Sequence, residues 1–306
     1  MTTRRTLAIS LAAATLFGAI QAPSAAEDDP LTRPIAPEAA ARWLTPQAPA
    51  RIYGNTYLVG FGALNVALIR TEAGLILIDG AVPQAVSSVE ANIRKLGFRV
   101  QDIRLILSTE PHFDHAGGLA ALARDSGATV VASGPGAHVL HQGYSDADDP
   151  QAGLVKSFPP VAKIRVVADG EVILLGKAAI TARATPGHTA GSMSWTWRSC
   201  EKARCLNMVF ASSLNPISAD GYRFSDPAHA ATRAAFTRTF AVVRHLPCDI
   251  LLTPHPDQSG GDVKFRRLQR RPVPNPFVEP GACRAYADKF AGLFKARIAQ
   301  EGGKKN

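Results

Sequence analysis

The 306-residue sequence has few features that would divert it from an ordinary globular fold. It carries no repeat of fixed period, no long low-complexity tract and, after residue 26, no apolar run of membrane-spanning length. Those absences exclude a solenoid, a disordered chain and a multi-span membrane protein. It has only four cysteines, and none of their spacings is CxxC. A structural zinc site built from cysteine is therefore not expected. Acids are also in deficit, with 25 Asp and Glu against 34 Lys and Arg. A basic surface of this kind favours anionic partners. Nucleic acid is not expected among them, because no recognition motif accompanies the charge. The densest basic run, Lys264 to Arg271, reads as a solvated loop or helix face.

What is present begins with the N-terminus. Arg4 and Arg5 precede an almost wholly apolar stretch from Leu7 to Ile20, and Ser24-Ala25-Ala26 offers small residues for cleavage before Glu27. Residues 1–26 thus read as a secretory signal peptide, with the arginine pair compatible with twin-arginine export. Its removal lowers the formal charge from +9 to +7. Residues 27–306 are expected to form a single domain in the periplasm or outside the cell, with no membrane attachment after cleavage. A monomer is expected. Export also makes disulfides plausible. Four cysteines allow three full pairings. Cys200 and Cys205 flank a polar stretch that resembles a hairpin tip, so local pairing is natural there. That leaves Cys248 with Cys283, a loop whose closure is worth about 3–4 kcal/mol.

Along the mature chain, short strand-like runs alternate with helical patterns in both halves. Strands are expected over 52–59, 64–70, 75–79, 103–108, 129–132, 164–167, 171–175, 179–184, 193–198, 207–211 and 250–253. Helices are expected at 37–43, 83–96, 117–126, 227–245 and from Gly281 to Glu301, with Asp226 as an N-cap and fraying from Gly302. No linker separates the halves. An α/β fold, with a two-layered sheet core covered by helices, fits this order.

Three strand ends then deliver histidines into Pro- or Gly-rich turns. The strand at 103–108 runs into Glu110-Pro111-His112-Phe113-Asp114-His115-Ala116-Gly117-Gly118. His188 lies in Pro186-Gly187-His188-Thr189, and His255 in Thr253-Pro254-His255-Pro256. Imidazoles and carboxylates at irregular turns after strands suit zinc. The other four histidines, His138, His141, His229 and His245, lie in or beside helices without such turns, and read as packing or surface residues.

These segments resemble the metallo-β-lactamase superfamily. With Leu77-Ile78-Asp79-Gly80, Val167-Ala168-Asp169-Gly170, Leu246-Pro247-Cys248-Asp249 and the pair Cys248 and Cys283, the chain looks like a class B β-lactamase of the third subclass, from about Ile52 to Tyr286. The resemblance implies an αββα sandwich with two Zn2+ per chain. It puts His112 and His188 on the first zinc, and Asp114, His115 and His255 on the second. Where the family usually has a third histidine on the first zinc, this chain has Glu110. The carboxylate either coordinates, adding negative charge beside the metal, or turns away and leaves the first site weak.

The resemblance further implies that Ser213 lies near the second zinc and that Asn215 stands where the substrate carboxylate binds. Ser212 replaces a residue that is commonly aspartate. The loops at 62–64 and 151–161 are expected to border the pocket. The implied reaction is opening of a β-lactam ring (penicillin, cephalosporin or carbapenem) by a zinc-bound hydroxide oriented by Asp114. The small-molecule substrate would be anionic, which suits a basic enzyme. Two other classes stay open: a hydrolase of a lactone, thioester or phosphoester on the same fold, and a non-enzymatic zinc-binding protein.

Overall fold

The computed structural model describes residues 29–303, so the proposed signal peptide lies outside the described residues. Twelve strands form two sheets. The first contains β1 (Ala50–Tyr53), β2 (Thr56–Leu58), β3 (Ala67–Thr71), β4 (Gly74–Ile78), β5 (Ile103–Leu107), β6 (Thr129–Ala132) and β7 (Ile164–Val166), paired in that order. The second contains β8 (Val172–Leu175), β9 (Ala178–Ala184), β10 (Met193–Glu201), β11 (Arg204–Phe210) and β12 (Ile250–Leu252), also adjacent in chain order. Strands β4 to β7 run parallel, as does β12 beside β11, and the remaining pairs are antiparallel.

Alternation of side chains along the strands creates three apolar layers. Leu75 and Leu77 face outward, against Val86, Val89 and Ile93 of the helix Val86–Lys95 and Leu119 and Leu122 of the helix Leu119–Ser126. Ile76 and Ile78 face inward, where they join Trp195, Trp197, Met208 and Phe210 of the second sheet. Val209, between Met208 and Phe210, points out the other side onto Phe236, Phe240 and Val243 of the helix Ala230–His245 and Phe290 and Phe294 of the helix Ala282–Gly303. The result is the expected helix–sheet–sheet–helix sandwich.

Local departures have physical causes. The run expected as one strand over 52–59 is a tight hairpin, because Gly54 takes φ +52° and turns the chain between β1 and β2. The basic run lies on a helix, Gly261–Arg270. The C-terminal helix continues to Gly303 rather than fraying at Gly302. Asp226 caps as expected, its Oδ1 accepting the Ala228 amide at 2.8 Å, and a 3-10 turn Pro227–His229 leads into the helix. Both disulfides are present, Cys200–Cys205 across the β10–β11 hairpin and Cys248–Cys283 tying the segment before β12 to the C-terminal helix. Among the described residues no helix is long and apolar enough to cross a membrane.

The two sheets are joined at one end by polar bonds. The Met193 amide donates to Thr109 O at 2.7 Å, the Trp195 indole N–H to Ser108 O at 3.2 Å, and the Asn65 side-chain amide to Thr253 O at 2.8 Å. These bonds fasten the end of β5 to β10 and the end of β12 to the segment before β3.

Candidate metal centre

The turn after β5 is tighter than a loop. One helical turn, Phe113–Ala116, follows His112, and Gly117 and Gly118 let it pack against the end of β4. The Gly80 amide donates to His115 O at 2.8 Å, and the Gly118 amide to Ala81 O at 2.9 Å. A Cβ on Gly118 would lie 2.2 Å from the carbonyl oxygen of Gly80. Gly118→Ala is therefore expected to destabilise the protein by about 3 kcal/mol or more, read as a fall in the denaturation midpoint. An unchanged midpoint would contradict this packing.

Six side chains, Glu110, His112, Asp114, His115, His188 and His255, converge here from three strand ends, those of β5, β9 and β12. Asp114 Oδ2 lies 3.2 Å from both His115 Nε2 and His255 Nε2. One ligand atom from each of Asp114, His115 and His255 fits within 4.8 Å of the others. Glu110 is fully buried. Its Oε1 lies 3.0 Å from His115 Nε2 and 4.0 Å from His188 Nε2, so it stands between the two groups of histidines. His112 and His188 meet edge to face, with ring centroids 5.1 Å apart. The outer nitrogens of two rings are held by backbone: His188 Nδ1 by Asn215 O at 2.9 Å and His255 Nδ1 by Ala63 O at 3.4 Å.

Ser213 holds Glu110 at two points, with its amide donating to Oε2 at 2.9 Å and its hydroxyl to Oε1 at 2.7 Å. Its side chain is thus directed to Glu110, and Asn215 contributes its backbone carbonyl to His188. Ser212 lies behind them, its hydroxyl 2.8 Å from Thr185 Oγ1. The four remaining histidines stand apart. His141, His229 and His245 bond to backbone carbonyls, and His138 faces Asp146 at the surface.

The sequence pattern of the Metallo-beta-lactamase superfamily matches residues 59–201. A solved B3 metallo-β-lactamase, described as the first with an active-site glutamic acid, is 51% identical, with a TM-score of 0.83 over 90% of this chain and 100% of that one. The chain belongs to the B3 metallo-β-lactamases. MEM-A1, a subclass B3 metallo-β-lactamase from a soil metagenome library, is 43% identical, with a TM-score of 0.83 over 86% of this chain and 100% of that one. The uncharacterized protein YobT of Bacillus subtilis is 30% identical over 149 residues, which span 47% of this chain and 61% of that protein.

The residues fit the metal ions that B3 metallo-β-lactamases imply. Two buried carboxylates and four imidazoles form a donor set of the zinc type. Burial pushes the Asp114 carboxyl up, but the charge of His115 and hydrogen bonds from His115 and His255 outweigh it and hold the group well below its ordinary value. Burial likewise raises Glu110, and His115, His188 and Ser213 more than reverse the effect. Burial lowers His115, yet Asp114 and Glu110 raise it well above 6.5. His188 is lowered, burial outweighing the attraction of Glu110. Without metal, a proton on His115 is the cation that balances the carboxylates.

Asp114 and Glu110, depressed from 3.8 and 4.5, contribute stability that is present above those values and lost as pH falls. His115, raised from 6.5, contributes stability that is present below 6.5 and lost as pH rises through its folded value. His188 opposes this, losing stability below 6.5. Asp79, raised by burial from 3.8 to about 7, adds a loss of stability as pH rises between those values, so the chelated protein should lose stability toward both acid and alkaline pH. Added zinc should raise the melting temperature more at pH 8 than at pH 5, because metal and proton compete for the same nitrogens. A zinc-induced shift independent of pH would contradict that competition.

Two residues at this centre were not expected as site residues, although Gln151 begins the loop 151–161 that was expected to border the pocket. Asp149 Oδ2 lies 3.1 Å from His112 Nε2. Gln151 Nε2 lies 3.2 Å from His188 Nε2 and 3.5 Å from His112 Nδ1. Both arrive on the long segment between the helix Gly134–Gln142 and β7. A further pair supports the turn from below: Asp79 accepts the Thr109 amide at 2.8 Å and hydroxyl at 2.7 Å, and its carboxyl is pushed up to about 7 by burial.

Proposed function

We propose that the chain is an exported hydrolase that opens the ring of β-lactams, with two zinc ions per chain. The observation that carries this reading is the convergence of Glu110, His112, Asp114, His115, His188 and His255 in a chain 51% identical to a B3 metallo-β-lactamase described as having an active-site glutamic acid. Glu110, His112 and His188 would hold one zinc, and Asp114, His115 and His255 the other. Bound zinc supplies Lewis acidity and lowers the proton affinity of water.

The protein's own residues do the positioning. Ser213 holds the Glu110 carboxylate toward the histidines through two hydrogen bonds, fixing the donor that departs from the family pattern. Asp114, ionised at neutral pH, orients the attacking water and takes up its proton. The carbonyls of Asn215 and Ala63 fix the tautomers of His188 and His255, which keeps the opposite ring nitrogens free as donors. The Asn215 side chain, whose Oδ1 is without a hydrogen-bond partner, is assigned to the substrate carboxylate through its amide N–H.

Export rests on residues 1–26 and on two disulfides, which persist in an oxidising compartment such as the periplasm. Residues 27–306 are then the mature domain, acting as a monomer. Hydrolysis of a penicillin, a cephalosporin and a carbapenem by the mature protein tests the substrate class. Turnover of at least one, abolished by a chelator, is the expected result. Turnover of a lactone with none of the three would overturn it.

A further inference from the structure

We propose that Asp149 is a positioning residue for the first metal: it fixes His112 so that Nδ1, and not Nε2, faces the ion. The proposal rests on the two-zinc reading only for the existence of that site.

The two ring nitrogens of His112 have different surroundings. Nδ1 lies 3.5 Å from Gln151 Nε2, which lies 3.2 Å from His188 Nε2. His112 Nδ1 and His188 Nε2 therefore converge on one point, where the Gln151 amide stands. The outward nitrogens are both engaged: His188 Nδ1 with Asn215 O at 2.9 Å, and His112 Nε2 with Asp149 Oδ2 at 3.1 Å. An imidazole that donates its outer N–H to an acceptor presents the lone pair of its inner nitrogen to a metal, and a carboxylate acceptor also makes that nitrogen more basic. Asp149 is thus an outer partner and not a ligand, because the imidazole ring lies between its carboxylate and the convergence point.

The loop holds Asp149 in this position. Its side chain is 8% exposed. Its Oδ1 accepts the Gln151 amide at 2.7 Å, and the next carbonyl, Pro150 O, accepts the Ala219 amide at 2.7 Å. That second bond ties the loop to the chain just beyond Asn215, which holds the other histidine of the same site. No contact runs from Asp149 to Asp114, His115 or His255, so its influence falls on one site only.

The test is a zinc titration of the chelated mature protein against a chromophoric chelator, which reads affinity without any substrate. Wild type should show two sites. Asp149→Ala should weaken one by about 10–100-fold and leave the other unchanged. Asp149→Asn should weaken it less, because its side-chain oxygen still accepts the His112 N–H. In a His112→Ala background, where the ring that Asp149 holds is gone, Asp149→Ala should have no further effect on that site. Two unaltered affinities in Asp149→Ala would overturn the assignment, as would equal weakening of both sites, which would mark a general effect on the fold. A wild-type chain that binds no zinc would overturn the two-zinc reading and this assignment with it.

Discussion

Alanine in place of Glu110 is expected to lower turnover at micromolar zinc by more than about 100-fold, beyond what the loss of an outer partner produces. The side chain is fully buried and has three polar neighbours within 3.0 Å: the Ser213 amide, the Ser213 hydroxyl and His115 Nε2. On the proposed assignment its removal takes a donor from the first site; it also leaves the Ser213 amide and hydroxyl, both buried, without their partner, while His115 Nε2 keeps only Asp114 at 3.2 Å. Glu110→His should retain most of the activity, because imidazole is the usual donor at this position in the family. The comparison is informative because a purely structural Glu110 would tolerate neither change. Measuring kcat/KM across a zinc titration checks it. Activity of Glu110→Ala that recovers at high zinc would mean a weakened but usable first site. Activity equal to wild type at all zinc levels would remove Glu110 from the centre.

Asp114→Asn is expected to lower turnover by about 10²–10⁴-fold, the range associated with a positioned acid or base. The substitution keeps the volume, so the turn Phe113–Ala116 should survive. It removes the charge that His115 Nε2 and His255 Nε2 share at 3.2 Å each. His115 is raised mainly by Asp114 and then by Glu110, against burial, so its proton affinity should fall in the variant. Zinc content should fall with activity, because the second site loses its only carboxylate. Retained activity with loss of one zinc per chain would show instead that the first site suffices.

Most of the centre was legible in the sequence for a chemical reason. Metal ligands must converge, and convergence needs turns at strand ends. Proline and glycine beside His112, His188 and His255 marked those turns without any structure. The unbroken apolar run in β4 likewise fits a strand buried on both faces, since neighbouring residues such as Ile76 and Leu77 both have to be apolar to face two different layers. Asp149 was not legible, and Gln151 was so only as the first residue of a loop expected to border the pocket. They reach His112 and His188 across more than 35 residues of chain, from a loop with no period, whose ties to the rest of the chain, such as the bond from the Ala219 amide to Pro150 O, leave no mark in the sequence. Nor did the sequence separate one helical turn from an irregular loop at 113–116, because both satisfy the same ligand spacing. The role of Ser213 was only partly visible: a serine was expected there, but its hold on Glu110 depends on a carboxylate that the family pattern lacks.

The most direct test of the account adds zinc back to the chelated mature protein, and records hydrolysis of a carbapenem and a cephalosporin while counting metal per chain in the same samples. The expected result is no turnover without zinc, turnover that rises with occupancy, and saturation at two zinc ions per chain. Two bound zinc ions with no hydrolysis of either substrate would contradict it.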